Sequence, residues 1–281
     1  MSTDATQQTA VRALVFTSPA HEVMGGRGTF SPTTSTLLVG RSESVLVDAQ
    51  FIDSDIAALG DLIEETGTSL TTIYVTHAHA DHYLGIGALL ERFPGARPLA
   101  RPAVVEAIED TLEVQKGQWS ALFGDAAVQP TVLPQPMADD VIDLEGTELR
   151  VIEVGQGDIR PSTVLHAPAI DTVVSGDVVY NQIHAMLGLS GPEEWRNWIE
   201  SINRVEQLRP TTIVAGHKKP EASDHDVKAM LDGTRSYISD FADLAQTAKD
   251  ADDLVAAMLD KYESYGNAWT LRFSARAWFS R

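Results

Sequence analysis

The sequence contains no cysteine among its 281 residues. Disulfides and thiolate metal ligands are therefore excluded, and any metal would be bound by imidazole, carboxylate, amide, backbone or water. Basic residues are also few, since 21 lysines and arginines stand against 40 acidic residues and give a net charge of −19. A surface this acidic repels nucleic acid and anionic membranes. We therefore expect neither of them as a partner.

Long apolar runs are missing as well, and no stretch approaches the ~20 apolar residues that a transmembrane helix requires. The first ten residues, MSTDATQQTA, have neither the basic start nor the apolar run of a secretory signal. These absences predict a cytoplasmic protein. Its content of 43% hydrophobic and 22% charged residues is ordinary for a globular chain that buries a core.

The first 220 residues alternate short apolar runs with helical patterns. β-strands are predicted where β-branched and aromatic residues cluster between turn residues, as in 71–76. An amphipathic helix is predicted over 192–208, where apolar residues recur at helical spacing. The strand signals then end. The sequence thus predicts a catalytic core over residues 1–220 and a helical extension over residues 221–281 packed on it, which forms either a lid over the site or a homodimer surface.

A dense cluster of potential metal ligands follows the predicted strand 71–76. In the segment THAHADH, His77, His79 and Asp81 occupy alternate positions, and His82 follows directly. Alternate side chains of extended backbone project to the same side, so these groups can face one site. Imidazole and carboxylate suit zinc, manganese or iron. The segment therefore favours a metal centre at the end of a strand over a histidine-rich surface turn.

The segment THAHADH matches the His-x-His-x-Asp-His signature of the metallo-β-lactamase-fold hydrolases, and the sequence resembles this superfamily over about residues 11–220. Three further family elements have counterparts: Asp177 in VVSGDVVYN, His217 in IVAGHKKP and Asp48 in SVLVDA. The resemblance implies an α/β (α+β) fold, a four-layer αββα metallo-β-lactamase-like sandwich with a C-terminal helical extension. It also implies two divalent metal ions, zinc in the first place, with manganese or iron as alternatives.

The chain departs from the family in the stretch VGQGDIRPST. Members usually have Gly-His-Thr-x-x-Ser here, and the histidine completes the first metal site, whereas residues 154–163 contain no histidine. Aligning Ser162 with the family serine places Asp158 at the histidine position, and a one-residue gap places Gln156 there. A carboxylate is a better ligand than an amide for these ions. Asp158 is therefore the preferred candidate.

The resemblance implies a ligand set for each ion, and one carboxylate is shared between the two sets. The first site is expected to combine His77, His79, Asp158 and Asp177. The second site is expected to combine Asp81, His82, Asp177 and His217. Asp48 is expected to orient a histidine ligand from behind.

The resemblance also implies a reaction. Two close cations ionise a water molecule near neutral pH, and the metal-bound hydroxide attacks the substrate. We therefore expect a metal-dependent hydrolase of a small-molecule ester, lactone, thioester or amide, with Asp81 as a catalytic proton shuttle. An iron-dependent oxidoreductase of the same fold and a catalytically impaired metal-binding member are the alternatives. His184 and Tyr180 are candidates for substrate binding, while Trp119 and Trp269 either line the cleft or pack in the core.

Overall fold

The computed structural model describes residues 11–129 and 131–281. The segment MSTDATQQTA, on which the prediction about a secretory signal depends, lies outside the described residues. The strands are β1 (Arg12–Thr17), β2 (His21–Glu22), β3 (Thr29–Phe30), β4 (Thr34–Val39), β5 (Glu43–Val47), β6 (Ser69–Val75), β7 (Arg97–Ala100), β8 (Gln135–Pro136), β9 (Val141–Leu144), β10 (Thr147–Gly155), β11 (Ser162–Ala167), β12 (Thr172–Val174), β13 (Tyr180–Asn181), β14 (Thr212–Val214) and β15 (His217–Lys218). The helices are α1 (Asp53–Glu65), α2 (Ala80–Tyr83), α3 (Ile86–Arg92), α4 (Pro102–Phe123), α5 (Pro192–Gln207), α6 (Val227–Thr247), α7 (Ala251–Lys261) and α8 (Ala268–Phe279).

The strands form two mixed sheets. The first has six strands in the order β1-β4-β5-β6-β7-β8, antiparallel from β1 to β5 and parallel from β5 to β8. The second has five strands in the order β14-β12-β11-β10-β9, and only its β12–β14 pair is parallel among the described strands. Two short parallel strands, β13 and β15, pair beside it.

The sheets face each other across an apolar layer. Leu38 and Tyr74 of the first sheet share this layer with Leu149 and Leu165 of the second. The outer face of the first sheet packs against α1, α3 and α4, and the outer face of the second packs against α5 to α8. The predicted four-layer αββα sandwich is therefore confirmed.

Burial on both faces explains the sequence of the central strands. The residues of β5 and β6 near the site, SVLV and TIYV, are all buried. A helical layer covers one face of these strands and the second sheet covers the other, so every side chain meets an apolar neighbour. Continuous apolar runs result, in place of the alternating pattern of a sheet with one face in water.

The C-terminal helices pack on the outer face of the second sheet. Phe241, Leu254 and Leu271 are fully buried in one cluster with Val173 and Ile213 of that sheet. A boundary between residues 220 and 221 stays a prediction, since these helices share their core with the sheet. Within residues 11–129 and 131–281, no helix combines the length and the apolar character that crossing a bilayer demands.

Candidate metal centre

The predicted ligands meet at one edge of the sandwich, where strands of both sheets end. Strand β6 ends at Val75, and the chain then passes through His77 and His79 into α2, which carries Asp81 and His82. An isolated bridge between His77 and Ser162 ties this segment to the second sheet. The short helix α2 places its two ligands one after the other as the chain turns away from the strand.

Two glycines let the remaining segments approach this edge closely. Asp177 lies in a tight turn after β12, next to Gly176, whose φ of 47° favours glycine. A Cβ at Gly216 would lie 2.1 Å from Oδ1 of Asp177, so a side chain at 216 would displace the carboxylate. The chain then enters β15, which begins with His217. Glycine is therefore required on steric grounds directly before Asp177 and directly before His217.

The first group of ligand atoms belongs to His77, His79, Asp158 and Asp177, and these atoms lie within 4.8 Å of one another. Nδ1 of His79 is 2.7 Å from Oδ2 of Asp158. Nε2 of His77 is 3.9 Å from Oδ1 of Asp158 and 3.8 Å from Oδ2 of Asp177. Four N and O donors thus surround one position.

The second group belongs to Asp81, His82 and His217, again with all ligand atoms within 4.8 Å. Nε2 of His217 is 3.3 Å from Oδ2 of Asp81. Asp177 faces this group as well, with Oδ1 3.3 Å from Nε2 of His82 and Oδ2 3.2 Å from Nε2 of His217. Its carboxylate therefore lies between the two groups and faces both.

The donors fit divalent cations. Four ligand atoms, Nε2 of His77 and His82, Oδ2 of Asp158 and Oδ1 of Asp177, are buried and make no hydrogen bond of good geometry with the described residues, although Oδ2 of Asp158 lies 2.7 Å from Nδ1 of His79. A buried polar atom without a partner is costly unless it binds something else. Imidazole nitrogens and carboxylate oxygens are the ligands that zinc, manganese and iron accept. The site supports binding of divalent metal ions.

Asp48 orients two of the histidines from behind. Nδ1 of His82 donates to Oδ2 of Asp48 over 2.8 Å. Nδ1 of His77 donates to Oγ1 of Thr76 over 2.9 Å, and this hydroxyl donates in turn to Asp48 over 2.9 Å. Since each Nδ1 is used in this way, Nε2 of each ring is left to face the ligand group. Sequence reasoning missed Thr76, although its position beside His77 was a signal.

His217 is held by the segment that precedes β4. Its Nδ1 donates to the carbonyl of Pro32 over 2.9 Å and lies 2.7 Å from Oγ of Ser31. Thr33 belongs to the same segment, and its hydroxyl donates to Oδ2 of Asp81 over 3.2 Å. These contacts were not predicted. The only sequence signal was the polar stretch SPTTS directly before an apolar strand.

The carboxylates and imidazoles shift one another's pKa. Burial alone would lower the pKa of His217, but the carboxylates of Asp177 and Asp81 together outweigh burial and raise the pKa to about 10. The pKa of His82 is raised well above its ordinary value against burial by Asp81 and Asp48. Burial and the neighbouring His82 instead lower the pKa of His77. The carboxylates thus create an environment that stabilises positive charge.

The structure brings Asp158, and not Gln156, to the imidazoles. The Gln156 amide donates to the carbonyl of Gly157. Tyr180 lies at the site: its hydroxyl donates to Oδ2 of Asp177 over 2.8 Å, and its ring stacks on His217.

His184 is not brought together with the ligands. Its ring is fully buried, and Nδ1 lies 3.1 Å from the hydroxyl of Tyr237. It is absent from the described residues that line the cavity at the site. Substrate binding by His184 stays a prediction.

A cavity of about 590 Å³ opens onto the two ligand groups. Asp81, Asp177 and His217 form part of its wall beside Tyr180. Helix α4 contributes Trp119 and helix α8 contributes Trp269, so both tryptophans line the cleft. A small molecule that enters this cavity reaches the ligand atoms directly.

Comparison with known proteins places this geometry in a family. The sequence profile of the Metallo-beta-lactamase superfamily matches residues 28–217. A Drosophila melanogaster protein described as a beta-lactamase-like protein 2 homolog is 24% identical over 192 residues, which span 67% of this chain and 59% of that protein. The chain thus covers less than two thirds of that relative's length.

Two solved structures are similar in fold. A metallo-beta-lactamase family protein from Thermus thermophilus has 17% sequence identity and a TM-score of 0.64, over 94% of this chain and 91% of that protein. A metallo-beta-lactamase from Pontibacter korlensis has 19% identity and a TM-score of 0.59, over 81% of this chain and 94% of that enzyme. The profile match spans well over half of the sequence and contains the strand-end histidines, and the chain therefore belongs to the metallo-beta-lactamase superfamily.

Proposed function

We propose that this protein is a binuclear metal-dependent hydrolase that cleaves an ester, lactone, thioester or amide bond in a small molecule. Membership of the superfamily supports a metal-dependent, hydrolase-like function. The finer proposal is carried by one observation: two ligand groups that share Asp177 lie in the wall of a cavity of substrate size. We propose zinc as the metal in both positions, with manganese or iron as alternatives.

In this proposal, different residues would bind each of the two ions. His77, His79 and Asp158 would hold one ion, His82 and His217 would hold the other with Asp81, and Asp177 would bridge them. When bound, the ions would ionise a water molecule and polarise the attacked oxygen. Asp48 fixes the direction of His77 and His82, which limits the reorganisation that the site needs during the reaction.

We propose that two side chains act on the substrate. Asp81 lies in the cavity wall and its Oδ2 accepts from Thr33, so this carboxylate is positioned to take a proton from the attacking water and pass it to the leaving group. Tyr180 also lines the cavity, and its hydroxyl donates to Oδ2 of Asp177. If a bound ion takes Oδ2 of Asp177, this proton becomes available to an oxygen of the substrate that becomes negative. A bound substrate, together with the aromatic side chains that line the cavity, would exclude bulk water and strengthen both interactions.

One feature favours a second candidate function. Asp158 adds a carboxylate to the first ligand group, and carboxylate-rich sites bind iron as well as zinc. An iron-dependent oxidoreductase is therefore the alternative. Metal analysis with an oxygen-uptake assay separates the two, because iron with substrate-dependent oxygen consumption supports the redox function.

The proposed hydrolysis is tested by a screen of metal-loaded protein against lactones, esters, thioesters and phosphodiesters. Asp81→Ala is the control variant, and its metal content is measured beside its rate. We expect turnover of at least one carbonyl substrate class, with a large loss in Asp81→Ala. Absence of turnover in all classes by protein that carries two ions per chain would contradict the proposal and leave a metal-binding member without catalysis.

A further inference from the structure

We propose that the substrate carries an apolar arm, an alkyl or aryl group several carbons long, that lies along an aromatic path from the ligand groups to the protein surface. This inference rests on the proposed function, since it concerns the same cavity. It narrows the open list of esters, lactones, thioesters and amides to those with a hydrophobic acyl or alkyl part.

The path begins at a predicted ligand and ends in solvent. The ring of Phe30 lies 5.6 Å from the imidazole of His217 and 6.0 Å from the ring of Trp269. The ring of Trp269 stacks on Phe273 at 5.8 Å, and Phe273 is 37% exposed. Phe30, Trp269 and Phe273 all line the cavity. An extended apolar group would contact one ring after another along this path.

Exposed apolar side chains gather at the same opening. Val114 of α4 is 62% exposed, Leu189 is 50% exposed and Phe273 of α8 is 37% exposed, and all three line the cavity. Their exposure is unfavourable unless a ligand covers them. Apolar side chains concentrated at the mouth of a cavity that also contains polar groups are typical of a ligand site.

The charges of the lining fit the same substrate. The predicted ligands supply every carboxylate among the described lining residues, and the other charged residues there are Arg27 and Arg160. The guanidinium of Arg27 donates to the carbonyls of Met24 and Ala121. The lining therefore differs from the rest of this chain, whose net charge is −19, because its described part has no acidic residue apart from the predicted ligands. The lining offers no free carboxylate to a cationic arm.

Polar groups of the lining are partly engaged already. The amide of Gln115 donates to the carbonyl of Ala78 over 2.6 Å and to the hydroxyl of Thr111 over 2.7 Å. Oε1 of Gln115 and Oδ1 of Asn267 have no hydrogen-bond partner among the described residues, so the lining can satisfy a donor group of the substrate at these two atoms. Along the rings of Phe30 and Phe273, a polar arm would lose its hydration without replacement. An apolar arm has no hydrogen bonds to water that the cavity would have to replace.

Direct binding of product analogues tests the inference without any need for turnover. Hydrolysis of all four bond types leaves a carboxylate when the arm is an acyl group. Linear saturated carboxylates from butanoate to decanoate are titrated into the zinc-loaded protein by calorimetry. We expect the affinity to rise about two- to fourfold for each methylene that enters the cavity, which is close to the value for transfer from water to an apolar medium.

Two phenylalanines of α8 give a matched pair of variants. Phe273 lines the cavity, whereas Phe279 is 39% exposed on the same helix and lies outside the lining. Phe273→Ser should weaken decanoate binding about three- to tenfold and leave butanoate binding unchanged. Phe279→Ser should leave both unchanged.

The outcomes separate this inference from the proposed hydrolysis. An affinity that does not depend on chain length, or an equal loss in Phe273→Ser and Phe279→Ser, would overturn the apolar arm even if the protein hydrolyses a substrate. An affinity that rises with chain length and falls selectively in Phe273→Ser would support the arm even if the hydrolysis screen is negative. Failure of the metal-loaded protein to bind any of these carboxylates would also overturn the inference.

Discussion

Oδ2 of Asp158 lies 2.7 Å from Nδ1 of His79. This carboxylate faces His77, His79 and Asp177 from the loop between β10 and β11. The alignment through Ser162 assigns it to the position where the family usually has a histidine. With Asp177 between the groups, each position is offered two imidazoles and two carboxylates. This donor set is harder than one with three imidazoles, which favours manganese and iron relative to the usual family site.

Replacement of Asp158 tests whether it is a ligand. Asp158→Ala removes one of the four donors of the first group, so we expect the metal content to fall by about one ion per chain at limiting metal. Gln156→Ala is the control, since the Gln156 side chain bonds to Gly157 and lies away from the imidazoles. Metal content is measured by elemental analysis. Equal metal content in both variants would contradict ligation by Asp158.

Asp48→Asn tests the orienting network. The carboxylate of Asp48 accepts from His82 and from Thr76, which holds His77. An amide in its place can accept only one of these bonds well and presents a donor to the other. We expect metal affinity to fall about 10- to 100-fold, in line with other residues that support metal-bound histidines. Competition with a chromophoric chelator measures this, and an unchanged affinity would rule out the role.

Tyr180→Phe separates two roles of the hydroxyl. The variant keeps the ring that stacks on His217 and loses the hydrogen bond to Asp177. If the hydroxyl stabilises a developing negative charge, kcat/KM falls about tenfold while metal content stays the same. A loss of metal with unchanged activity per bound metal would instead mean that Tyr180 acts only on Asp177.

Metal affinity should depend on pH, and the direction follows from the histidines. Burial opposes a charge on His217, yet neighbouring carboxylates raise its pKa to about 10, and the pKa of His82 is raised in the same way. A cation must displace these protons, so binding releases protons and affinity decreases as the pH falls from about 9 to 6. Calorimetry in buffers of different ionisation enthalpy counts the protons. Binding without proton release would contradict these pKa shifts.

Leu254→Ala tests whether the C-terminal helices form one cooperative unit with the core. Leu254 of α7 is fully buried in the cluster that contains strand residues of the second sheet. We expect the free energy of unfolding to fall by about 2–5 kcal/mol in a single transition. Chemical denaturation followed by tryptophan fluorescence and circular dichroism measures this. A separate early transition, with the remaining structure unaffected, would instead establish residues 221–281 as an independent unit.

Local sequence signals singled out the candidate ligands that the structure brings together, because most of them belong to short motifs at strand ends. Metal binding by these residues stays a prediction. The segment THAHADH and the glycine before Asp177 are local sequence features that determine the backbone turns around these residues. The buried strands are recognisable as continuous apolar runs. The family and the four-layer fold followed from these motifs and are confirmed.

The cavity could not be predicted in the same way. Its walls come from α4, α8 and the loop that contains Leu189, segments far apart in sequence that meet only through tertiary packing. The contacts of Ser31 with His217 and the burial of His184 against Tyr237 arise for the same reason. No local pattern distinguishes a tryptophan that lines a cleft from one that packs in a core.

Anomalous diffraction from crystals of the metal-loaded protein tests the central claim most directly. Data collected at the zinc, manganese and iron absorption edges identify each ion and its position. The account predicts two peaks about 3.5–4 Å apart, one beside His77 and His79, the other beside His82 and His217, with Asp177 between them. A map with no peak at these ligands, or with ions bound only elsewhere, would contradict it.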